Sequence, residues 1–484
     1  CFTVWETVMA ANGTTSQPAT RSAQGHNRPL DRDLRGYLET NADLLTVIEK
    51  PVSIDDIGAL SAQSDNPILF ENITEYPDFR MCDILVKHRW SQCRALGVAE
   101  EDYLSTLAHR LRKPPRGFVD VATGPIKEVI YTGDDVDWLK LPAPIHSAEE
   151  GQPYISAMNI VKDPETGFYN SSHAGTTPVG RRHGFISFAT PHTHIIMQKY
   201  RDMGLNEMPI ALVFGVHPAY EIMANFSGMH MDVWGEMEMV GTIMDQDVEM
   251  VPCETIDLRV PAHAEIVVEG IVDVSQTFEV GGVNAPTGYF LPKEQKIPRI
   301  DLTAITMRAG KPIYRNHQTV PDTDHQPLPR LCHEAVLYNR ISEIGLKVHD
   351  VRFPTWGAAV SCVIQVEYPR PGFVNDALMQ TMGSPWLNTK MVVAVSPDTD
   401  VSSAEAVYRA IATRVDPARD IFVVPGTRGS LYEPSGELIP GHEPWRTVGK
   451  IGIDATAKPH RGETDYTEAF PLNWGKVKLA DYLS

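Results

Sequence analysis

Hydrophobic and polar positions follow two different periods along this chain of 484 residues. In the N-terminal part the period is helical in DLRGYLETNADLLTVIEK and in EEDYLSTLAHRLRK, with the short apolar strand ILFENI between them. The first of these helices has its apolar positions at Leu34, Tyr37, Leu38, Leu44 and Leu45. The second is acidic first and basic last, as the helix dipole favours, and Pro114 and Pro115 end it. The pattern predicts a mixed α/β domain.

From about Ala122 the period shortens to two, which is typical of strands. The predicted strands are IKEVIY, ISAMNIV, GFISFA, IALVFGV, EIVVEGIVDV and IDLTAITMR. The segment EMVPCETIDLRVPAHAEIVVEG predicts two strands around the turn PAHA, the second of which is the start of EIVVEGIVDV. PHTHIIMQKYRDMG interrupts the strands as one helix. The centre of the chain is therefore β-rich.

Helices and strands alternate again after about Pro327. LCHEAVLYNRISEIG predicts a helix, VSCVIQVEY and KMVVAVSP predict strands, and SSAEAVYRAIATRV predicts a helix that Ser402 and Ser403 can cap. Such alternation is typical of a parallel α/β layer. The tail from Pro440 to Ser484 is rich in Pro and Gly and has little apolar periodicity, so we expect it to wrap a neighbouring subunit.

These patterns divide the chain into four parts. Residues 1–30 are rich in Ser, Thr, Asn and Gln and are expected to be a disordered tail. An N-terminal α/β domain is expected over 31–121, a β-rich domain over 122–326, and a C-terminal α/β domain with an oligomerisation tail over 327–484.

Composition and charge exclude several classes of protein. A hydrophobic content of 42% with 22% charged residues is that of a globular protein, and no 18 apolar residues run together. The formal charge of -19 argues against nucleic acid or an anionic membrane as partner. The six cysteines form no CxxC pair, which indicates reduced thiols and a cytoplasmic location.

Three candidate metal ligands lie between Tyr154 and Glu236: Asn170, His192 and Glu236. An amide oxygen, an imidazole and a carboxylate suit a divalent ion of intermediate hardness, Mn²⁺ more than Zn²⁺. Each residue also has a structural interpretation. Asn170 could close a turn, His192 could cap a helix, and Glu236 could be a solvated surface acid.

Several segments together resemble the UbiD family of decarboxylases. They are NIVKDPETGFYN, PHTHI, FGVHPAYEIMA, EMEMVGTIMDQDVEMVPCETIDLRVPAHAEIVVEG and KMVVAVSPDTD, in the family's order, and CETIDLRVPAHAEIVVEG is the most specific. The resemblance implies an α+β multidomain protein whose central domain is a split β-barrel of the flavin-reductase type. It also implies prenylated FMN, a divalent metal that is usually Mn²⁺, and often K⁺.

The resemblance gives the candidate residues their roles. Asn170, His192 and Glu236 stand where the family has its metal ligands, and His194 is a rival for His192. Further candidates for the flavin phosphate are Lys390, Ser171 and Ser172, although Lys390 could equally be a solvated lysine at a strand end. Met229, Met231 and Trp234 could line a pocket or simply pack.

The family's Glu–Arg–Glu network beside the reactive flavin carbon is largely missing. The Arg position falls on Gly175, Glu279 stands where the first Glu is expected, and Asn284 (or Ala285) replaces the second. Asparagine cannot act as a general acid, so either neighbours such as His173, Arg181 or Glu279 do this work or the substrate needs less help. A flavin- and metal-binding homologue without decarboxylase activity, or a non-enzymatic assembly protein, are the remaining alternatives.

From this resemblance we expect reversible, non-oxidative decarboxylation of an aromatic or heteroaromatic carboxylic acid. An aryl-coenzyme A thioester or an α,β-unsaturated acid is the alternative substrate. A flavin prenyltransferase would supply the cofactor, and a homodimer or homohexamer is expected.

The expected catalytic residues are Glu279, His173 and Asn284. Burial against Phe278, Val280 and the flavin should raise the pKa of Glu279, so that it protonates the product carbon. His173 should receive the substrate carboxylate, with binding that fails as the pH rises. Alternatively, Glu279 is a turn carboxylate and His173 a hydrogen-bond donor in the core.

Overall fold

The computed structural model describes most of the chain after residue 29. The described ranges are 30–188, 190–226, 235–285, 287–291, 295–318, 320, 323–324, 330–368, 370–384, 389–429, 433–439, 446–461, 469 and 471–482. The predicted N-terminal tail and the candidates Met229, Met231 and Trp234 lie outside these ranges.

The helices in the described ranges are α1 (Leu34–Thr40), α2 (Ile54–Ala62), α3 (Arg89–Ala95), α4 (Tyr103–Arg110), α5 (Pro191–Asp202), α6 (Pro218–Ala224), α7 (Glu236–Met244), α8 (Arg330–Glu343), α9 (Phe373–Met382) and α10 (Ala404–Arg414). None of them is long and apolar enough to cross a bilayer. The five cysteines in the described ranges are free thiols, as their spacing predicts.

A small mixed sheet forms the N-terminal layer. Its strands are β1 (Thr46–Ile48), β2 (Ile68–Phe70), β3 (Arg80–Asp83) and, from after the barrel, β16 (Ile313–Arg315). Because β16 pairs in parallel with β3, the chain returns to this layer before it enters the C-terminal domain. The predicted helix over DLRGYLETNADLLTVIEK is too long, since α1 ends at Thr40 and the segment TVI is strand β1.

The central domain is a closed barrel of six antiparallel strands. They are β6 (Ile155–Lys162), β7 (Tyr169–Gly180), β8 (His183–Phe188), β9 (Glu207–Phe214), β12 (Ile266–Val280) and β15 (Gln295–Met307). The order is β12-β9-β6-β7-β8-β15, and the pairing of β15 with β12 closes the circle. Closure leaves no unpaired edge in the ring, and it confirms the split barrel that the resemblance implies.

Short strands surround the barrel. They are β4 (Phe118–Asp120), β5 (Val129–Thr132), β10 (Val248–Pro252), β11 (Arg259–Pro261), β13 (Val283–Asn284) and β14 (Phe290–Leu291). β5 extends the barrel sheet beside β15, whereas β11, β10 and β4 form a separate three-stranded sheet.

The C-terminal domain is a single sheet with helices packed against it. Its strands are β17 (Val348–Arg352), β18 (Ser361–Val366), β19 (Met391–Val395), β20 (Ile421–Gly429), β21 (Glu437–Leu438) and β22 (Arg446–Ala455). The central pairings of β18, β19 and β22 are parallel, as the alternation predicts, and the flanking pairings of β17 and β20 are antiparallel. The expectation that the whole tail from Pro440 wraps a neighbouring subunit is wrong for Arg446–Ala455, because β22 lies inside this sheet.

The core continues from one domain into the next. One cluster of buried side chains joins α1 and α4 to α6, α7 and the first two turns of α8, and a second fills the barrel and the N-terminal sheet. The helices that bound the candidate site therefore rest on the same packed core as the barrel strands.

Candidate active site

The first residues of β7 contact two helices at once. The Asn170 amide nitrogen donates to the Thr193 hydroxyl in the first turn of α5 at 3.2 Å. The backbone N–H of Ser171 donates to the Glu236 carboxylate, at the start of α7, at 2.8 Å. Three segments that are distant in the sequence therefore meet at this point, and each carries one of the predicted metal ligands.

Gly235 makes this approach possible. A Cβ atom built on Gly235 would lie 2.1 Å from the Tyr169 carbonyl oxygen, so only glycine allows the helix to start this close to β7. The Glu238 carboxylate accepts the Gly235 N–H at 2.8 Å and closes the first turn of α7. Glu236 is thereby held against the strand that carries Asn170.

The helix α5 distinguishes the two candidate histidines. Two residues apart on a helix, His192 and His194 point in directions about 200° apart. The Nε2 atom of His194 lies 2.8 Å from the Phe188 carbonyl oxygen, and burial lowers the pKa of this ring. His194 thus links α5 to the end of β8, which favours His192 as the ligand.

The buried acid at this point suits a cation. Glu236 is 2% exposed, and burial raises the pKa of its carboxyl to about 8. The Ser171 hydroxyl is also buried, with no hydrogen-bond partner among the described residues. The donor set of amide, imidazole and carboxylate therefore fits a divalent ion. No group of three His, Cys, Asp or Glu side chains that could hold a metal occurs in the described ranges, so a site here needs Asn170.

The other predicted phosphate contacts lie in two places. Ser172 is near the ligand cluster, where its hydroxyl accepts from the Asn159 amide at 2.9 Å and lies 3.3 Å from the Thr193 hydroxyl. Lys390 directly precedes β19 in the C-terminal sheet, and its ammonium contacts Glu433 at 3.0 Å and Ser435 at 2.6 Å. None of its contacts within the described ranges joins it to Asn170 or Glu236.

The position of the missing arginine is occupied by a tyrosine. A Cβ atom built on Gly175 would lie 1.5 Å from the Tyr154 hydroxyl oxygen and 2.1 Å from its ring, so no side chain fits there while Tyr154 keeps its place. Tyr154 is buried and ends a loop that begins at Pro144, whose carbonyl oxygen accepts the Tyr154 N–H at 3.0 Å. A phenol from another segment thus occupies the space beside Gly175, where the resemblance predicts the arginine position.

The same loop places an unpredicted acid beside Asn284. The Asn284 amide nitrogen lies 3.5 Å from the Glu150 carboxylate, and the Ser147 hydroxyl donates to the Asn284 amide oxygen at 3.1 Å. Glu150 is 8% exposed, and its Oε1 atom is buried without a hydrogen-bond partner in the described part of the chain. Burial raises the pKa of Glu150 to about 7, which is suitable for proton transfer near neutral pH.

His173 lies on the same face of β7 as Gly175, because residues two apart on a strand share a face. Its Nδ1 atom is 2.7 Å from the Asn225 amide nitrogen, which can only donate, so the proton of the neutral ring is on Nε2. The ring stacks on His317 with centroids 4.7 Å apart. A neutral ring with Nε2–H can still donate to a carboxylate, so the expected loss of binding at high pH does not follow from this geometry.

The structure contradicts the environment expected for Glu279. This residue is near the end of β12, where it is exposed and pairs in register with Lys296 of β15. The neighbouring Phe278 packs on Phe185 instead, because successive strand residues face opposite sides. Glu279 therefore lacks the burial that was expected for it, whereas Glu150 is buried.

The sequence contained only a weak signal for Glu150 and Tyr154. The segment HSAEEGQPY has two acids before a Gly and a Pro, which is also typical of an ordinary surface turn. What identifies these residues is their proximity to Asn284 and Gly175, which are more than 20 positions away in the sequence.

The protein has a flavin-reductase-type barrel between two α/β layers and a buried carboxylate, Glu236, at the start of β7. This is the architecture of a class of cofactor-dependent carboxy-lyases. The family model described as the 3-octaprenyl-4-hydroxybenzoate carboxy-lyase Rift-related domain matches residues 118–322, and the model of the C-terminal domain of that enzyme matches 328–455. A protein of Methanothermobacter thermautotrophicus named anhydromevalonate phosphate decarboxylase is 30% identical over 432 residues, which are 88% of this chain and 96% of that protein. The chain belongs to the UbiD family of decarboxylases.

Two solved structures agree in fold over nearly the whole chain. The UbiD-class enzyme HmfF from Pelotomaculum thermopropionicum, in complex with FMN, is 29% identical with a TM-score of 0.82, covering 93% of this chain and 100% of that one. An evolved dimeric form of HmfF, in complex with prenylated FMN, is 28% identical with a TM-score of 0.80, covering 94% and 100%.

Proposed function

We propose that this protein decarboxylates a small carboxylic acid with prenylated FMN and a divalent metal, Mn²⁺ by preference. The observation that carries the proposal is the meeting of Asn170, the first turn of α5 and Glu236 around one buried point. A buried carboxylate without a cation is costly, which supports a metal there, and the similarity to UbiD-class structures with bound FMN or prenylated FMN supports a flavin whose phosphate the metal would hold.

Asn170, His192 and Glu236 would hold the metal, with the Ser171 hydroxyl and N–H groups close by. When bound, prenylated FMN would accept the electrons that the substrate carbon retains as CO₂ leaves. The chain's own residues must then do two things. They must orient the carboxylate, and they must deliver one proton to the carbon that loses CO₂.

We assign the first task to His173. Its Nε2–H can donate to the substrate carboxylate, while Asn225 and the stacked His317 fix the orientation of the ring. A single donor is a weaker anchor than the bidentate arginine of the usual network. We therefore expect a further anionic group on the substrate to contribute to binding.

We assign the second task to Glu150 in place of Glu279. Protonated Glu150 gives its proton to the product carbon, and the resulting carboxylate takes another proton from solvent. Asn284 contacts the second oxygen of Glu150 and keeps the side chain from turning away. Tyr154, from the same loop, fills the space beside Gly175.

The substrate is proposed from two sources. The family resemblance alone favours an aromatic or heteroaromatic acid, but two curated relatives are named for anhydromevalonate phosphate, which is a carboxylic acid and a phosphate ester. We propose a phosphorylated acid as the second candidate, because the described part of the chain also has a pocket rich in arginine.

The proposal is tested by producing the protein together with a flavin prenyltransferase and Mn²⁺. The bound flavin is then identified by mass and absorption spectrum, and CO₂ release is measured with anhydromevalonate phosphate and with a panel of aromatic acids. Bound prenylated FMN with release of CO₂ from one of these acids supports the proposal. Protein that stays free of flavin and metal under these conditions contradicts it.

A further inference from the structure

A pocket rich in basic residues lies between the N-terminal and C-terminal domains. It is a cavity of about 170 Å³, lined among others by Lys87, Arg89, Arg330, Arg352, Phe353 and Trp356. Four of these side chains are cationic in a chain whose formal charge is -19. Such a local excess of positive charge against the overall charge indicates a site for an anion.

The carboxylates nearby do not neutralise this pocket. Glu334 is fully buried and accepts from Arg89 at 3.0 Å, from the Tyr103 hydroxyl at 3.0 Å and from the Phe353 N–H at 2.8 Å. Asp350 pairs with one nitrogen of Arg352 at 2.9 Å. Both acids are thus used, and Arg330 forms no ion pair with either of them among the described contacts.

Several guanidinium nitrogens in the pocket are buried and unsatisfied. Among the described residues no hydrogen-bond partner contacts Nε and Nη2 of Arg330, Nη1 of Arg89 or Nε of Arg352. Burial lowers the pKa of Arg330 to about 10, and the nearby Arg89 adds to the effect. Buried cationic donors without acceptors are costly, so three arginines sharing one cavity require an anion to complete the site.

The geometry selects the kind of anion. Guanidinium groups bind phosphate and carboxylate through two parallel N–H bonds, and a phosphate offers enough oxygens for several arginines. The cavity is too small for a polynucleotide or a folded partner but large enough for one phosphate group and a few waters.

The pocket is connected to the candidate active site through a short chain of contacts. His173 contacts Asn225, the next residue Phe226 packs on His333 with ring centroids 5.6 Å apart, and Arg330 is one turn before His333 on α8. Residues three apart on a helix lie on one face. These contacts link the pocket to the candidate active site through packed side chains.

We propose that this pocket binds a phosphate group, and that the phosphate belongs to a phosphorylated carboxylic acid substrate. The second part rests on the proposed decarboxylase function, whereas the first does not. Arg330, Arg89 and Arg352 bind the phosphate oxygens, and Trp356 covers the group at the exposed side.

The binding of phosphate is tested by thermal unfolding of the flavin-loaded protein, in sodium phosphate and in sodium chloride of equal ionic strength. Loaded protein is used because a free flavin-phosphate site would bind phosphate as well. We expect phosphate to raise the Tm of the parent protein and of Arg112→Met, an exposed arginine paired with Glu343 at the far end of α8. The same phosphate should not raise the Tm of Arg330→Met.

A sharper expectation concerns chloride buffer. Nε and Nη2 of Arg330 have no acceptor in the described contacts. In chloride buffer, Arg330→Met should therefore unfold at the same temperature as the parent protein or at a higher one. If Arg330→Met does not fold, Arg330→Gln serves as the second variant. An equal phosphate effect on parent, control and Arg330 variant, or no effect on any, overturns the proposal.

The source of the phosphate is tested by steady-state kinetics. With anhydromevalonate phosphate as substrate, inorganic phosphate should compete, and Arg330→Met should raise KM at least tenfold while kcat changes little. Phosphate that raises the Tm without competing would assign the pocket to free phosphate and overturn its role in substrate binding. Absence of any decarboxylation, by contrast, would contradict the proposed function and leave the Tm result intact.

Discussion

At the scale of single residues, two side chains from the loop before β6 lie at the predicted positions of the usual network. Tyr154 lies beside Gly175, and Glu150 lies beside Asn284. Gly175 leaves a space on β7 that the Tyr154 phenol fills, and Glu150 from the same loop places a buried acid beside Asn284. A carboxylic acid in this environment stays protonated to a higher pH than an exposed one, as the raised pKa of Glu150 shows. The acid–base role can therefore move to another segment without leaving the site.

The two acids can be separated by a pair of isosteric variants. Glu150→Gln in the flavin-loaded enzyme should reduce turnover about 100-fold or more, since general-acid catalysis is lost. Glu279→Gln should change it less than threefold because Glu279 is exposed. CO₂ release and deuterium entry from solvent measure both steps. Full activity of Glu150→Gln with loss in Glu279→Gln would restore Glu279 as the proton donor.

Glu150 also makes stability depend on pH. Its folded-state pKa of about 7 is above the ordinary 4.5, so the folded protein binds more protons than the unfolded chain between these values. Its contribution is therefore largest below about pH 4.5 and is lost as the pH rises through about 7, by up to about 3 kcal/mol. Glu150→Gln should remove this loss and unfold at a higher Tm than the parent at pH 8. The Tm of both proteins is measured at pH 5 and at pH 8. An equal change in Tm between the two pH values for the parent and for Glu150→Gln would refute the raised pKa of Glu150.

The histidines on α5 offer a second residue-scale comparison. His192→Ala should lose Mn²⁺ and flavin together, since one ion would link the flavin phosphate to the protein. His194→Ala should keep both but lose about 1 kcal/mol of stability, because it removes the contact to the Phe188 carbonyl. Metal analysis and flavin absorbance after gel filtration distinguish them. Full Mn²⁺ occupancy in His192→Ala would remove His192 from the site.

At the scale of elements, the site depends on two helix starts that meet one strand. The first turn of α5 and the first residue of α7 both contact the beginning of β7, and each contact needs close approach. Helix N-terminal turns carry unpaired N–H groups and a partial positive charge, so such a junction favours a phosphate. The barrel strand β7 thus carries Asn170, and the two helices carry His192 and Glu236, the other two predicted metal ligands.

Gly235→Ala tests this junction. The added Cβ would lie 2.1 Å from the Tyr169 carbonyl oxygen, so α7 must move away and carry Glu236 with it. We expect about tenfold weaker Mn²⁺ binding and a loss of stability of about 1–3 kcal/mol. Isothermal titration with Mn²⁺ and thermal unfolding measure the two effects. Gly281→Ala is the matched control, because nothing lies within 4 Å of a Cβ there. Equal metal affinity in both variants would contradict the role of the close approach.

At the scale of the whole molecule, the domains are joined by buried charge. Arg315 at the end of β16 pairs with Glu221 of α6 at 3.1 Å, with Asp83 of β3 at 3.5 Å and with Asp324 in the connection to the C-terminal domain. Burial raises the pKa of all three acids, that of Asp324 to about 6, and the charge of Arg315 opposes this effect. Asp83, Glu221 and Asp324 come from three different segments of the chain, and Arg315 pairs with all of them. Loss of Arg315 would therefore leave three buried acids without their cation.

The tail offers a prediction about assembly. The segment 471–482 of the tail exposes the apolar residues Leu472, Trp474, Val477, Leu479 and Tyr482. Apolar side chains this exposed are expected to pack on another subunit. Deletion of 471–484 should therefore reduce the size of the oligomer, as measured by light scattering after gel filtration. Leu472→Ser with Leu479→Ser should act in the same direction, and an unchanged mass in both would contradict the tail's role.

The sequence by itself determined the family, the order of the domains and most of the elements. Strand and helix periods depend on local spacing of apolar residues, so ISAMNIV, GFISFA and PHTHIIMQKYRDMG were predicted where β6, β8 and α5 lie. Only the tertiary structure decided which acid is buried. The burial of Glu150 and the exposure of Glu279 depend on which segments meet across the barrel. The spacing of residues along the chain contains no information about which segments meet. The arginine pocket is of the same kind, because Arg89, Arg330 and Arg352 come together only when the N-terminal and C-terminal domains pack.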